Sequence, residues 1–506
     1  MKIKKFFCRN KNKKNKRGFN LIELLFAIII IGVISTLVTI SVKDSRAKSR
    51  DLKRVADVKQ IQTALRLYFN DNGAYPASTS VTSSIRSGNK VYMEKFPQAP
   101  IPPDGDCDEG DNQYVYSEGG EGNASYTLSF CVGAQVAGAN PGNKCATPMG
   151  ILNVNCAAQV NCLEEPESCS WEIAGGGPIT SDSAWGPNLF TYNNDIYVGY
   201  GDKEVGYKAT VKKYNRITDS WDLVGNRGFS AHFAAENQIF VYEGTPYIAF
   251  QDGNASNKAT VMKLNGSSWE NVGSAGFSAG AVYGISLYVY SGTPYVAYRD
   301  EANANKATVM KFNGSSWENV GSAGFSVDSA YFSTANGLYV YNGTPYVGFR
   351  DIENDGKVSV MKFNGSSWEY VGTAGFSSAS SGNVSLSLNS SGVPYVVYTI
   401  GNALYSMKYN GSSWENVGAG NFTSARTYHL SLRIFDDVPY ISFQDENTAW
   451  KATFMRFNGT SWETLGTAGF SATSIDTAYF TIYNNTPYVV YSSNTVTASV
   501  KRLVEN

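Results

Sequence analysis

The sequence predicts a multidomain protein in which a long N-terminal α-helix carries a small α+β head and an all-β propeller of seven blades follows. Three observations lead to this fold class. An apolar run from Leu24 to Val42 continues into an amphipathic segment, and six cysteines cluster between Cys107 and Cys169. A Ser-Trp pair then recurs every 46 to 51 residues almost to the C-terminus, which is typical of a repeated supersecondary unit.

The N-terminus combines a basic leader with an apolar helix. Residues 1–18 hold nine Lys or Arg and no acid, so the positive-inside rule predicts that they stay cytoplasmic while the chain beyond Val42 is exported. No Ala-x-Ala-like cleavage site follows the apolar run, which predicts that the helix is retained. Glu23 lies beside this run, where a carboxylate needs a partner because its burial in lipid is costly.

The stretch from Lys16 to Leu25 reads KRGFNLIELL and resembles the leader of type IV prepilins and pseudopilins, with Asn20 in place of the usual Thr or Ser. The resemblance implies that a prepilin peptidase/N-methyltransferase cleaves between Gly18 and Phe19 and methylates the new Phe19 amine. It also implies that Glu23 pairs with the terminal amine of a neighbouring pilin subunit in the filament. The alternative is a plain single-pass anchor whose glutamate lies at the membrane interface.

Residues 19–72 are predicted to form one helix, with residues 19–42 in the membrane or filament core. Beyond Lys43 the apolar residues recur on one face, and Asn72-Gly73 ends the pattern. The positions on this face are Val55, Val58, Ile61, Ala64, Leu65 and Tyr68.

Residues 73–155 are predicted to form the head, because Gly73–Pro76, Gln113–Tyr116 and Ser125–Ser129 resemble the small antiparallel sheet of major type II secretion pseudopilins. The six cysteines after the leader belong to an exported, oxidising context and predict three disulfides. Their 15 possible pairings cannot be resolved from sequence, although Cys107 with Cys131 is favoured. The other four, in the head and in the linker 156–169, are Cys145, Cys156, Cys162 and Cys169. A metal site is the rival hypothesis, but paired Cys-x2-Cys units are absent from the sequence.

An acidic stretch in the head offers the oxygen ligands that calcium prefers. Its carboxylates are Asp104, Asp106, Asp108 and Asp111. The EF-hand pattern is not met, since Glu109 and Val115 occupy its glycine and glutamate positions. A loop in a similar place binds calcium in the pseudopilins that the head resembles. The alternative is a solvated acidic turn.

Residues 170–506 are predicted to form the propeller, with four strands per repeat. In one repeat the strands fall at Ser286–Tyr290, Pro294–Tyr298, Ala307–Phe312 and Ser316–Val320. An Asn-Gly pair between the third and fourth strands predicts a type I′ hairpin with positive φ. The chain begins with a fourth-type strand at Trp171 and ends with a third-type strand, so the first strand should complete the last blade and close the ring.

Five repeats end their second strand with an aspartate and place a lysine after the next loop. The aspartates are Asp202, Asp252, Asp300, Asp351 and Asp445, and the lysines are Lys208, Lys258, Lys306, Lys357 and Lys451. One interpretation is a structural pair or loop lock within each blade. The other is a rim of carboxylates that binds a ligand or cation.

Composition and motifs favour binding over catalysis. Only two histidines, His232 and His429, are present, and neither has a recurring nucleophile or metal-ligand partner, so the chain is not predicted to be an enzyme. Without the leader the net charge is −10, which gives no strong nucleic-acid signal.

The parts together predict a minor or tip-located type IV pilin-like subunit. It would lie in the cytoplasmic membrane before assembly, then in an extracellular pilus or on the cell surface, where its propeller binds an external glycan or protein. The first alternative is a pseudopilin of a type II secretion or DNA-uptake machine that captures cargo. The second is a pilin-tethered carbohydrate-active enzyme.

Overall fold

The computed structural model describes most of the chain after residue 20. The described residues are 21–78, 83–105, 107–119, 125–134, 136, 141–147, 150–152, 156, 162–163, 166–193, 195–216, 218–332, 337–483, 485–493 and 496–505. For residues 21–43 only the backbone is described. Within this part of the chain, no helix is long and apolar enough to cross a membrane. The described residues fall into two compact units, one up to Tyr116 with Ser129–Asn143 and one formed by Ser117–Leu128 with Lys144–Asn506.

The helix α1 spans Leu21–Asn72 and ends where the sequence predicts. Gly73 follows with φ +72° and donates its N–H to the Phe69 carbonyl at 2.8 Å, as a glycine does after a helix C-terminus. The predicted apolar face is confirmed, because Val55, Val58 and Ile61 are buried against the head.

The head contains a two-stranded sheet and a four-stranded antiparallel sheet with strand order β3-β4-β5-β6. The strands are β1 Ile85–Ser87, β2 Lys90–Met93, β3 Val115–Gly119, β4 Ser125–Val132, β5 Gly142–Thr147 and β6 Gly150–Leu152. Three disulfides are present, and one of them is the pair that the sequence favoured. They join Cys107 to Cys131, Cys145 to Cys156, and Cys162 to Cys169.

Seven antiparallel sheets follow and form the blades of the propeller. The first strand of the domain is β7, Cys169–Ile173. Blade 1 contains β8 Ala184–Tyr192, β9 Asp195–Asp202, β10 Lys208–Asn215 and β11 Ser220–Leu223. Blade 2 contains β12 Ala234–Tyr242, β13 Thr245–Asp252, β14 Lys258–Asn265 and β15 Ser268–Asn271. Blade 3 contains β16 Val282–Tyr290, β17 Thr293–Asp300, β18 Lys306–Phe312 and β19 Trp317–Asn319.

The remaining blades repeat this order. Blade 4 contains β20 Ala330–Tyr331, β21 Leu338–Tyr341, β22 Thr344–Asp351, β23 Lys357–Phe363 and β24 Trp368–Tyr370. Blade 5 contains β25 Val384–Leu388, β26 Pro394–Ile400, β27 Ala403–Tyr409 and β28 Trp414–Asn421. Blade 6 contains β29 Thr427–Phe435, β30 Val438–Asp445, β31 Lys451–Phe457 and β32 Trp462–Thr464. Blade 7 contains β33 Thr477–Tyr483, β34 Thr486–Ser493 and β35 Val496–Glu505, and β7 completes it.

The closure of the ring is therefore confirmed. Strand β7 pairs antiparallel with β35, with Trp171 opposite Leu503 and Cys169 opposite Glu505. The Cys162–Cys169 disulfide lies at the start of this pairing. The last blade thus takes its outer strand from the beginning of the domain, which leaves no free strand edge at the closure.

The recurring tryptophan joins neighbouring blades, as the repeat predicts. Trp317 stacks on Phe277 with ring centroids 4.0 Å apart and donates its Nε1–H to the Val272 carbonyl at 2.7 Å. Phe277 and Val272 both follow the outer strand of the preceding blade. The tryptophan and phenylalanine of the repeat are thus packing residues between blades.

The prediction of a type I′ turn at Asn-Gly is wrong in one respect. A type I′ turn requires positive φ at both of its central residues. Gly314 has φ +99°, but the φ of Asn313 is not positive. The Asn313 side chain instead accepts hydrogen bonds from the backbone N–H groups of Ser315 and Ser316 at 3.0 and 2.9 Å. The loop is longer than a two-residue hairpin, so glycine supplies the conformation and asparagine the hydrogen bonds.

Candidate functional site

The residues that the leader motif singles out lie largely outside the described part of the chain. Gly18 and Phe19 precede the first described residue, and Glu23 lies in α1 but its side chain is not among those described. Cleavage, methylation and the role of Glu23 therefore stay predictions.

The acidic loop of the head is engaged by arginines. Asp104 accepts from Arg50 Nε at 2.7 Å and from Arg54 Nη1 at 3.2 Å. These arginines, Arg50 above all, hold the pKa of the Asp104 carboxyl below its usual range. Asp108 accepts from the Asp111 backbone N–H at 2.8 Å.

These contacts restrict where calcium could bind. Asp106 lies outside the described residues, and the described residues contain no group of three or more His, Cys, Asp or Glu side chains that could hold a metal. Asp104 is already neutralised by two guanidinium groups. The calcium site stays a prediction, and its ligand Asp104 is already engaged by Arg50 and Arg54.

The five strand-end aspartates are buried and bonded within their own blades, which supports the loop-lock interpretation. Asp252 accepts from the Asn254 backbone N–H at 2.9 Å and from the Thr260 hydroxyl at 2.8 Å. Asp300 makes the same pair of bonds, with Ala302 N at 3.1 Å and Thr308 Oγ1 at 2.9 Å. In blades 1, 2, 3 and 6 the side-chain oxygens thus cap the short 3-10 turn that follows the strand, whereas Asp351 in blade 4 accepts from the Asn354 amide and the Ser359 hydroxyl. Since they point inward, they do not form a carboxylate rim.

The covarying lysine is not an ion-pair partner. Lys258 lies directly opposite Asp252 in the strand register, yet the ion pairs among the described residues join no strand-end aspartate to its lysine. Blade 5 lacks both residues for a simple reason. Its second and third strands are joined by only Gly401 and Asn402, with Ile400 opposite Ala403, so there is no loop to cap.

Replacement of Asp252 by alanine should therefore lower the free energy of unfolding by about 1–2 kcal/mol, because a turn cap and a buried hydroxyl bond are lost. Lys258→Ala, the matched control, should change it by less than about 0.5 kcal/mol. Thermal unfolding of both variants tests this. Equal destabilisation would contradict the loop lock and favour an Asp–Lys pair.

A ladder of alternating tyrosines and arginines lies where these second strands end, and we call it the Arg–Tyr ladder. It consists of Tyr283, Arg299, Tyr331 and Arg350. The Arg299 guanidinium carbon is 4.6 Å from the centroid of the Tyr283 ring and 4.8 Å from that of Tyr331. The Arg350 guanidinium carbon is 5.6 Å from the Tyr331 centroid. Tyr331 is 43% exposed, so the ladder reaches solvent.

The two arginines of the ladder have few polar partners. In the described part of the chain, neither forms an ion pair, and the Nε atom of each is buried without a hydrogen-bond partner. Arg350 Nη2 donates to the Ser380 hydroxyl at 3.3 Å. Cation–π contacts orient such groups but do not neutralise them.

Two residues of the inner strands hold strained backbone conformations. Glu236 and His429 both have φ +53°, at bulges in the inner strands of blades 2 and 6 where blades 1 and 3 have Gly186 and Gly284. Burial raises the pKa of the Glu236 carboxyl, although the Ile285 N–H and the Arg299 charge oppose the rise. Burial also lowers the pKa of His429. Positive φ at such side chains is uncommon and marks sites worth testing.

A second surface lies on the face of the propeller opposite the Arg–Tyr ladder, where the first and second strands of each blade are joined. It consists of clefts between neighbouring blades. Three such clefts have volumes of about 470, 650 and 740 Å³. Each is lined by a strand tyrosine, a lysine and the loop that connects the third and fourth strands. Lys311 lines two of them and pairs with Glu318 at 3.4 Å. The second lysine of these clefts, Lys362 or Lys263, pairs with Glu369 or Glu270 in the same way. The clefts thus carry little unbalanced charge.

The ladder arginines were not found from the sequence, although a signal exists. The residue before the strand-end aspartate varies among blades while its neighbours repeat. The five positions are Gly201, Gln251, Arg299, Arg350 and Gln444. Two adjacent blades place a cation at a position that packing does not dictate, and a comparison of the repeats would have shown this.

Comparisons with known proteins give relatives for a short part of the chain. No protein-family profile matches it. The type II secretion system core protein G of Pectobacterium carotovorum is 35% identical over 96 residues, which cover 17% of this chain and 62% of that protein. Its counterpart in Aeromonas hydrophila is 32% identical over 101 residues, which cover 17% of this chain and 69% of that protein. The chain thus spans about 62% of the length of the first of these relatives.

A solved structure is similar to the larger part of the chain. It is the six-bladed β-propeller fungal lectin of Aleuria aurantia, with 14% sequence identity and a TM-score of 0.41. The match covers 58% of this chain and 99% of the lectin.

Proposed function

This chain belongs to the family of the type II secretion system core protein G, and from that premise we propose that it is a pilin-like subunit whose propeller binds an acidic glycan outside the cell. In this proposal a prepilin peptidase processes the chain at Gly18, the apolar sequence from Leu24 to Val42 anchors it in the cytoplasmic membrane before assembly, and Glu23 guides assembly with other subunits. A propeller of more than 300 residues is bulky on every subunit of a packed filament, which favours a minor, tip-located position.

The Arg–Tyr ladder is the observation that supports an acidic ligand. Guanidinium groups bind carboxylates and sulfates through two parallel hydrogen bonds, and such charge-assisted bonds are about twice as strong as neutral ones. Arg299 and Arg350 form no ion pair among the described residues, although the buried Glu236 carboxyl lies close enough to Arg299 to sense its charge. Tyr331 lies between them with both guanidinium groups over its ring, and its half-exposed side chain adds apolar surface that a sugar ring can contact.

We expect the full-length protein, solubilised in detergent, to bind an acidic polysaccharide such as polygalacturonate and not neutral dextran. Binding should weaken as salt is raised, because exposed charges are screened. The double substitution Arg299→Met with Arg350→Met should weaken binding by more than about 100-fold, because each charge-assisted hydrogen bond contributes about 1.5–3 kcal/mol and about 1.4 kcal/mol is tenfold in affinity. Surface plasmon resonance on immobilised polysaccharides measures this.

The control is Lys311→Met, which removes a charge from the same blade but from the cleft surface, and it should bind as the unmodified protein does. Melting temperatures of all variants show whether they are folded. Equal binding to dextran and polygalacturonate, or full binding by a folded double variant, would contradict the proposal.

A second candidate function follows from the names of the relatives, which belong to a secretion system. The chain could serve such a machine, with the propeller capturing an exported protein. Immunogold labelling separates the two functions. Label on filaments outside the cell supports surface display, whereas label confined to the envelope supports the secretion role.

A further inference from the structure

The inner strands of the propeller line a central channel, and four consecutive blades place an aromatic ring at the same position. These rings, which we call the aromatic arc, are Phe190, Phe240, Tyr288 and Tyr339. Neighbouring ring centroids lie 4.3, 4.9 and 4.9 Å apart along the arc. Half of the channel wall is therefore apolar and flat.

The other three blades break this pattern with Ser387, Arg433 and Thr481 at the corresponding positions. Arg433 reaches across the channel, and its guanidinium carbon is 5.8 Å from the centroid of the Phe190 ring. Its Nη2 donates to the Leu189 carbonyl at 3.2 Å. One cation thus faces the arc.

Arg433 and the arc enclose a cavity of about 210 Å³, which Ser387 and Gln238 also line. A cavity of about 150 Å³ can bind one benzene ring, so this space suits one six-membered ring with its substituents.

The charge of Arg433 has no acidic partner in the part of the chain that the structure describes. Its Nε is buried without a hydrogen-bond partner. Burial lowers the pKa of Arg433 to about 10, and only the Tyr339 and Tyr288 hydroxyl groups oppose that effect. An uncompensated cation in such surroundings is costly to keep unless an anion joins it.

We propose that the central channel is a binding site for a small molecule that carries a carboxylate on a single six-membered ring. The guanidinium of Arg433 binds the carboxylate through Nε and a second N–H, while the aromatic arc packs against the ring. A free hexuronate and an aryl carboxylate share this chemistry. The site lies on the inner strands and does not depend on the Arg–Tyr ladder.

The test is isothermal titration calorimetry of the full-length protein with glucuronate and with benzoate. Glucose and benzamide, which have the same rings without the carboxylate charge, are the ligand controls. We expect saturable binding of at least one carboxylate and none of its neutral analogue. Binding of glucuronate alone identifies a sugar ligand, and binding of benzoate alone identifies an aryl ligand.

The decisive variant is Arg433→Thr, because blade 7 already has a threonine, Thr481, at this position. It should bind the carboxylate about 10- to 100-fold more weakly. Arg456→Met is the matched control: it removes an arginine from the same blade, where Glu463 pairs with it, and should leave binding unchanged. If the threonine variant does not fold, Arg433→Lys, which keeps the charge without the planar fork, should show a smaller loss.

The proposal is overturned if neither carboxylate binds at millimolar concentration. It is also overturned if the neutral analogues bind equally well, or if a folded Arg433 variant binds as the unmodified protein does. Weaker binding of polygalacturonate by the ladder variants with unchanged glucuronate binding would show that the two sites are separate.

Discussion

Replacement of Trp171 by alanine is expected to lower the free energy of unfolding of the propeller by about 3–5 kcal/mol, the usual cost of deleting a buried tryptophan. Trp171 stacks on Phe470 with centroids 4.0 Å apart and donates its Nε1–H to the Leu465 carbonyl at 3.1 Å. It also holds β7 against β35, where the two ends of the propeller chain meet. Loss of these contacts should free β7 and expose β35 as a strand edge.

The matched control is Trp269→Ala, which deletes the same side chain within the continuous part of the ring. Trp269 stacks on Phe229 at 4.2 Å and donates to the Val224 carbonyl at 2.8 Å. Both variants should melt at lower temperature. Only the Trp171 variant should speed amide hydrogen exchange at residues 496–505. Unchanged exchange there would show that the closure does not depend on Trp171.

The repeat made most of the propeller predictable from one sequence. The Ser-Trp spacing gave the number of blades, and the mismatch between the first and last strand types gave the closure by Trp171. Local hydrogen bonding was harder to predict, as Asn313 shows. An Asn-Gly pair fits several turns, and the choice among them depends on the length of the loop rather than on the two residues alone.

The candidate sites were less predictable because they depend on exceptions to the repeat. Asp252 and its counterparts recur, so they drew attention, yet recurrence reflects a shared structural task. Arg299, Arg350 and Arg433 each occupy a position that other blades fill with uncharged residues. Their environment becomes visible only when neighbouring blades are placed side by side, since the contacts cross from one blade to the next.

The helix of the head contains a buried ionic network that the periodicity of its apolar face does not reveal. Arg54 is 1% exposed and contacts Asp51 at 2.5 Å and Asp104 at 3.2 Å. Its Nη2 also donates to the Pro100 carbonyl at 2.8 Å. Asp51 in turn accepts from the backbone N–H groups of Gly133 and Ala134 at 3.1 and 3.0 Å. Arg54 and Asp51 together therefore tie α1 to two loops of the head.

Arg54→Met should destabilise the head by about 3 kcal/mol, because removing one partner leaves buried carboxylates without compensation. Hydrogen exchange of helix residues 51–72 measures this without requiring that the propeller unfold. The control Lys90→Met breaks an ion pair with Asp71 on the surface, and it should not change exchange in the helix. Equal exchange in both variants would contradict a structural role for the network.

The pH dependence provides an independent check on the same network. The pKa of Asp104 is lowered in the folded protein, first by Arg50 and then by Arg54. Its contribution to stability is therefore fully present above the unfolded pKa of about 3.9 and is lost as the pH falls through the folded value. Arg54→Met removes part of that contribution at neutral pH. The free energies of unfolding of the unmodified and variant heads should therefore differ most above pH 4 and become more similar in stronger acid. A difference that stays constant down to pH 2 would mean that the loss comes from packing, not from charge.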